Sequence, residues 1–274
     1  MTINCRGELI DLKRPKVMGI INLTPDSFYD GGKYKDRKEI LNQVEKMLVD
    51  GASFIDLGAY STRPGAEEIS VDEENQRLQP IVELVLKKFP EAILSIDTFR
   101  GAVAKQALDR GAALVNDISS GLLDKEMLNV IAAYHVPYIM MHMRGNPKTM
   151  QQNTQYEHLI QDMLFYFSER INAAKSKGII DFIIDPGFGF SKTLDQNYHL
   201  LKNLDLLQIA EKPILVGLSR KSMIYNLLGT EAKNALNGTT ALNMLALNNG
   251  ANILRVHDVK EAMECIKIHE QLTA

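Results

Sequence analysis

Polar side chains end the short apolar runs of this sequence. Seven of eight such runs stop at an ionisable or amide group, in the order Asn22, Asp56, Asp97, Asn116, Asp185, Lys221, and Arg255 with His257. A single aspartate at such a point is often a helix N-cap. Lys221 and Arg255 do not cap helices well, so the set as a whole predicts one binding or catalytic site.

Four of these groups are acceptor-rich: Asp56, Asp97, Asn116 and Asp185. A carboxylate near a core is costly unless a donor matches it. The natural match is the edge of a planar heterocycle that offers several N–H groups, such as an aminopyrimidine, which can pair in the bidentate way that arginine does. Lys221 could serve the carbonyl and ring nitrogen of the same ligand.

A second set of groups predicts an anion site. Arg255 and His257 are alternate residues of one run and therefore face the same side of a strand. Asn22 is available beside them, and the segment from Ser219 to Ser222 begins a predicted helix, whose free N–H groups attract anions. We therefore expect a heterocycle pocket at one end of the site and a phosphate pocket at the other.

The sequence disfavours a zinc site and is compatible with a magnesium site. The two cysteines, Cys5 and Cys265, are far apart, and no run ends in a histidine pair, so a zinc site is not expected. Magnesium needs few protein ligands when a diphosphate supplies oxygens, and the Asn22 side-chain oxygen would suffice.

The elements that must position these groups alternate between strands and helices. Helical stretches carry apolar residues at spacings of three and four, as at residues 40–48 and 81–86, and a glycine closes most of them. The strand-like runs are residues 17–21, 53–57, 92–96, 113–115, 138–141, 182–184, 214–216 and 253–255. Eight strand–helix units without a linker predict a single (β/α)8 TIM barrel over residues 1–274. A doubly wound open sheet is the alternative.

Three further segments surround the predicted barrel. Residues 1–16 predict a short N-terminal β-hairpin that plugs its N-terminal end. Residues 24–32, which include Phe28, form a polar loop after the first strand, of the kind that carries binding groups. Residues 143–155 are polar and long, and we expect them to cap or extend the site.

Composition excludes several classes of protein. The chain has 274 residues and a net charge of −3, which argues against nucleic acid as a main partner. No segment approaches the ~20 apolar residues that cross a bilayer, and the N-terminus does not resemble a signal peptide. Two isolated cysteines indicate free thiols in a reducing cytoplasm.

Eight segments, spread in order over nearly the whole chain, resemble the dihydropteroate synthase family. They are residues 18–32, 61–66, 95–98, 116–118, 141–150, 185–190, 217–222 and 253–259. The first and the sixth are the most specific. The sixth reads Asp185, Pro186, Gly187, Phe188, Gly189, Phe190.

The resemblance implies a TIM barrel, usually a homodimer, that joins p-aminobenzoate to 6-hydroxymethyl-7,8-dihydropterin diphosphate in an SN1-like step. Asn22 would hold Mg²⁺ with the diphosphate. Pterin binding would fall to Asp97, Asn116, Asp185 and Lys221. Arg255, Val256 and His257 would contact the pterin face and the diphosphate. Thr62, Arg63 and Pro64 would lie on a second mobile loop. Phe28, Phe190, Ser219 and Lys221 would border the p-aminobenzoate site, where sulfonamides compete.

One position departs from the family pattern, and three other functions stay open. Tyr60 stands where many family members have glutamate. A related barrel that moves a methyl group from methyltetrahydrofolate would keep the acceptor pocket without needing Arg255 and His257. A Schiff-base aldolase would use Lys221, and a non-catalytic pterin-binding protein would need no chemistry.

Overall fold

Eight parallel strands form the centre of the structure, a computed structural model that describes residues 1–23, 33–61 and 68–273. Their bounds are β3 (Lys16–Asn22), β4 (Phe54–Gly58), β5 (Leu94–Asp97), β6 (Leu114–Asp117), β7 (Tyr138–Met141), β8 (Phe182–Asp185), β9 (Leu215–Val216) and β10 (Ile253–Val256). Most begin or end within two residues of the predicted runs. These strands are apolar because one face of each packs against the surrounding helices and the other face points into the filled barrel interior.

The sheet closes into a barrel. Its strand order is β8-β7-β6-β5-β4-β3-β10-β9, and every neighbouring pair is parallel. A parallel bridge between Ile184 and Ile214 joins the two ends of this order. Closure brings the carboxyl ends of all eight strands to one face, which confirms the predicted TIM barrel over the open sheet.

Helices surround the barrel. They are α1 (Lys33–Val49), α2 (Val71–Lys88), α3 (Gly101–Asp109), α4 (Met127–Tyr134), α5 (Leu159–Lys175), α6 (Leu194–Lys202), α7 (Ser222–Tyr225), α8 (Leu236–Asn248) and α9 (Val259–Thr273). Short 3-10 helices lie at Met150–Gln152, Leu204–Ala210 and Ala232–Asn234. The predicted stripes face the strands: Val44 and Val85 are fully buried. Gly51 and Gly111 after α1 and α3 have φ of +104°, which a residue with a side chain rarely adopts.

The N-terminal hairpin closes the amino end of the barrel, as predicted. It consists of β1 (Thr2–Cys5) and β2 (Glu8–Asp11), paired antiparallel. Ile3 of β1 and Leu12, the residue after β2, pack against inward-facing residues near the starts of the barrel strands. Phe54 and Ile253 are among these residues. The Asn4 N–H donates to Asp181 Oδ2 at 2.9 Å. The opposite face of the barrel is therefore left for the site.

Residues 143–155 extend the carboxyl face beside the last residues of β7, as predicted. Met143 and Met150 form a small apolar cluster with Met141, and Phe190 packs against it. Gln151 Nε2 donates to the Gly189 carbonyl at 3.1 Å. This segment therefore supports the loop after β8 from outside.

Among the described residues, no helix is long and apolar enough to cross a membrane. Cys5 and Cys265 are both buried and form no disulfide, as their separation in the sequence predicts.

Candidate active site

The inward-facing positions at the strand ends carry the polar groups. Side chains of a strand alternate between its two faces, so a residue two places after an inward-facing one also faces inward. Phe54 and Ile253 belong to the interior cluster beneath the site, and Asp56 and Arg255 follow each by two places. The same two-residue spacing separates Leu114 from Asn116 and Ile183 from Asp185. Asn22 lies four residues, or twice that spacing, after Met18.

Arg255 ties two of the predicted acceptors together. Its Nε lies 2.6 Å from Asp56 Oδ2, and its Nη2 lies 2.6 Å from Asp97 Oδ2. Asn116 Nδ2 donates to the same Asp56 oxygen at 3.1 Å. Asp56 is fully buried, and its Oδ1 has no partner among the described residues. The floor of the site is therefore a charge network with one acceptor still available.

Burial dominates the electrostatics of this network. It raises the pKa of Asp97 to about 7, against the opposing effect of Arg255 and with a further rise from Asp56. The pKa of Asp185 is also raised by burial, and Lys221 opposes that rise. The pKa of Arg255 is raised because Asp56 and Asp97 outweigh the burial of its guanidinium. Arg255 and Lys221 thus oppose the protonation that burial favours in Asp97 and Asp185.

Lys221 follows β9, the strand next to β10, and its Nζ and the Arg255 Cβ both lie within 4 Å of the Cβ position of Gly217. Its Nζ donates to the Phe188 carbonyl and lies 5.2 Å from the centre of the Phe190 ring. Burial lowers the pKa of Lys221 to about 8, although the Asp185 carboxylate raises it. In this position the Lys221 ammonium can donate to a polar ligand. The Phe190 ring beside it gives the same ligand a flat apolar surface to pack against.

The predicted anion groups lie together at the β9 and β10 ends. Ser219 Oγ is 3.0 Å from His257 Nδ1 and also accepts from the His257 N–H at 3.2 Å. Arg220 does not join them, because its Nε and Nη2 bind the two Asp258 oxygens at 2.8 Å each. The helix that was predicted to open at Ser219 begins at Ser222 and has only four residues, so its contribution to anion binding is small.

This site can be compared with those of known proteins. The family described as pterin binding enzyme matches residues 18–257. The dihydropteroate synthase of Escherichia coli K12 is 42% identical over 272 residues, which are 98% of this chain and 96% of that protein. The chain belongs to the dihydropteroate synthase family. The matched range contains the strand-end residues from Asn22 to His257.

Solved structures of the family agree with this fold over the whole chain. The Yersinia pestis dihydropteroate synthase with a sulfonamide drug complex is 42% identical, with a TM-score of 0.93 over 100% of this chain and 99% of that one. The Xanthomonas albilineans dihydropteroate synthase in complex with 7,8-dihydropteroate is 33% identical, with a TM-score of 0.89 over 100% and 99% of the two chains.

Some predicted site residues lie elsewhere than expected. Val256 is fully buried in the layer between strands and helices, because it alternates with Arg255 and His257, so only its backbone faces the site. The predictions for Phe28, Thr62, Arg63 and Pro64 lie outside the described residues. Phe190 and Ser219 are present at the carboxyl face.

Tyr60, the departure from the family pattern, has a local role. Its ring meets the Phe99 ring edge to face with centres 5.1 Å apart, and the Arg100 guanidinium lies 5.0 Å from it. Arg100 also binds Glu74 Oε2 at 2.8 Å and the Ile69 carbonyl at 2.7 Å. The tyrosine therefore packs on a fixed cation instead of carrying the negative charge of a glutamate.

Two features of the site were not predicted from the sequence. Asp56 was expected to pair with a ligand, and instead Arg255 holds one of its oxygens. Lys192 follows the sixth motif but was assigned no role, although it is only 3% exposed. The available signal was a lysine two residues after a segment of two glycines and two phenylalanines.

Proposed function

We propose that this chain catalyses the dihydropteroate synthase reaction, in which p-aminobenzoate displaces diphosphate from 6-hydroxymethyl-7,8-dihydropterin diphosphate to give 7,8-dihydropteroate. The observation that carries this proposal is the inward-facing set of Asp56, Asp97, Asn116 and Asp185, with Lys221 and Arg255, in a barrel of this family. The pterin edge is rich in N–H donors and matches these acceptors.

The two halves of the substrate fit opposite parts of the site. The carboxylate of Asp185 and the amide of Asn116 would accept from the aminopyrimidine edge, and Lys221 would donate to its carbonyl. Arg255 has Nε and Nη2 on carboxylates, which leaves Nη1 to donate toward the diphosphate together with His257 and Ser219. The acceptors Asp185 and Asn116 would therefore serve the pterin, and Arg255, His257 and Ser219 would serve the leaving group.

The mechanism that suits this division is SN1-like. The bond between the pterin methylene carbon and the diphosphate oxygen breaks, and its electron pair leaves with the diphosphate. The methylene carbon is then a cation delocalised over the dihydropterin ring. The ionised carboxylates of Asp97 and Asp185 would stabilise that cation, because groups already held in place need not reorganise as charge develops. The arylamine nitrogen then attacks, forms the new C–N bond and loses its proton.

Mg²⁺ belongs to this proposal as a partner of the diphosphate. Among the described residues, no group of three or more His, Cys, Asp or Glu side chains could hold a metal. The half-buried Asn22 amide at the end of β3 offers an oxygen ligand, which suits a hard cation that takes its other ligands from phosphate and water. When bound, Mg²⁺ would neutralise charge on the leaving diphosphate.

A homodimer in the cytoplasm completes the proposal. Leu227, Leu228 and Leu245 are 58%, 55% and 49% exposed near the carboxyl ends of α7 and α8. Ile224 and Leu247 on the same helices are buried in the core and do not belong to this surface. The two buried free thiols fit a reducing compartment.

The test is diphosphate release with both substrates. We expect purified protein with Mg²⁺, dihydropterin diphosphate and p-aminobenzoate to release diphosphate and form dihydropteroate. Chelation of the metal should suppress turnover. Absence of product with both substrates bound would reject the proposal.

Two controls separate the alternative functions. Methyl transfer from methyltetrahydrofolate would identify the related methyltransferase barrel. Borohydride trapping of a carbonyl substrate on Lys221 would identify an aldolase. We expect neither, because an aldolase leaves the acceptor set unexplained and methyl transfer does not need the Arg255 and His257 pair.

A further inference from the structure

Lys192 is a buried lysine behind the wall of the site. It lies two residues before α6 and is 3% exposed. Its Nζ is 3.0 Å from the Gly187 carbonyl, 3.0 Å from the Phe190 carbonyl and 3.1 Å from His142 Nδ1. Burial lowers the pKa of Lys192 to about 7, although Asp185 raises it, so Lys192 is an ammonium below that pH. An ammonium group has three protons, and here each one has an acceptor.

When Lys192 is an ammonium, His142 Nδ1 is the acceptor in this contact. Burial, followed by the charges of Lys192 and Arg144, lowers the pKa of His142 well below its ordinary value, so the imidazole is neutral. Its Nδ1 is then free to accept from Lys192, and its proton sits on Nε2. The ring packs edge to face on Tyr166 with centres 4.9 Å apart. Lys192 is thus anchored to a rigid group next to β7.

The loop that Lys192 holds is residues 187–190, called here the 187–190 loop. Its Phe188 carbonyl accepts from Lys221, and its Gly189 carbonyl accepts from Gln151. Together with the two carbonyls on Lys192, every carbonyl of the loop is held by a side chain. Gly187 has φ of +68°, and a Cβ there would lie 2.3 Å from the His142 carbonyl. The start of the loop therefore lies tightly against the His142 backbone.

We propose that Lys192 is a positioning residue, which fixes the 187–190 loop and thereby sets where the Phe190 ring and Lys221 face the substrates. The proposal rests on the proposed function above. It extends the site to a residue that does not touch substrate. Lys192 holds both ends of the loop, Gly187 and Phe190, whereas Lys221 and Gln151 hold only its middle.

The first test replaces Lys192 with methionine, which keeps the length and removes the donors. We expect Lys192→Met to raise the KM for p-aminobenzoate by about tenfold, the loss expected for a charge-assisted hydrogen bond that orders a binding wall. A purely structural role would lower the active fraction, and hence the apparent kcat, without raising KM. Lys192→Arg restores a donor and should recover part of the KM.

The matched control is Asn252→Ala at the amino end of the barrel. Asn252 Oδ1 accepts from the Ile214 N–H, and its Nδ2 donates to the Leu12 carbonyl. This variant should lose stability while keeping both KM values. Lys192→Met with a KM within about twofold of wild type would overturn the proposal. Inactivity of the wild type would instead reject the proposed function.

A second measurement needs no variant. Nitrogen-15 NMR of the histidine side chains in the wild-type protein should show His142 neutral, with Nδ1 unprotonated and Nε2 protonated. A proton on His142 Nδ1 would remove the acceptor for Lys192 and overturn the proposal even if Lys192→Met fails to fold.

Discussion

At the scale of single residues, the charge of Asp185 is the feature closest to the chemistry. Its Oδ1 accepts from the Gly187 N–H at 2.7 Å, a contact that an amide oxygen can also make. Asp185→Asn therefore removes charge with little change of shape. We expect kcat to fall roughly a hundredfold, because the developing pterin cation loses a preorganised counter-charge. Steady-state kinetics of diphosphate release measures this.

The control for that variant is Asp117→Asn. Asp117 is also fully buried at a strand end, but it faces away from the barrel interior and binds the Ser119 and Gly121 N–H groups and the Tyr138 hydroxyl. The Asp117→Asn variant should have a lower denaturation midpoint without a selective loss of kcat. An Asp185→Asn enzyme with kcat within about threefold of wild type would contradict the cation-stabilising role.

The pH dependence of the reaction should report Lys221. Burial lowers its pKa to about 8, so the ammonium is present below that pH and is lost above it. We expect kcat/KM for the pterin substrate to fall as pH rises through this range, because the neutral amine donates more weakly. Lys221→Arg should keep its charge and move the decline to higher pH. An unchanged basic limb in that variant would assign the decline to another group.

At the scale of elements, we expect the N-terminal hairpin to contribute to stability and the carboxyl ends of the barrel strands to contribute to catalysis. Leu12 is fully buried beneath the barrel, far from the carboxyl face, whereas Leu9 on β2 is 70% exposed. Leu12→Ala should lower the free energy of unfolding by about 2–5 kcal/mol, and Leu9→Ala by less than about 0.5 kcal/mol. Urea titration measures both. Turnover of folded Leu12→Ala should equal wild type, and a specific loss of kcat would show that the hairpin acts on the site.

The strand ends were predictable from the sequence, and the contacts between them were not. A buried parallel strand is apolar until its first inward-facing polar residue, so Asp56 and Asn116 lie within two residues of the ends of β4 and β6. The pairing of Arg255 with Asp97 depends on the angle and closure of a barrel, which join residues that are far apart in the chain. The burial of Lys192 depends on His142 and residues 143–155, whose packing has no sequence period.

At the scale of the whole molecule, Leu227 and Leu228 after α7 and Leu245 on α8 are exposed apolar residues. Gly238 on α8 lies against the Ile224 and Leu228 side chains, since a Cβ there would be 2.4 Å and 3.0 Å from them. Leu245 is seven residues further along α8 and so lies on the same face of the helix. An apolar surface of this kind is the expected centre of a homodimer interface.

Charge placed on that surface should separate the subunits. We expect light scattering of the wild type to give twice the 30.7 kDa of one chain, and Leu245→Glu to give a single chain, because a carboxylate buried in an apolar interface has no partner. Phe165→Glu is the matched control: Phe165 is 66% exposed on α5, and its variant should remain dimeric. Asp56, Asp97 and Arg255 form their network within one chain, so the separated subunits should keep kcat within about threefold. A wild type that is monomeric throughout would reject the interface, and an inactive but folded Leu245→Glu monomer would show that the partner subunit completes the site.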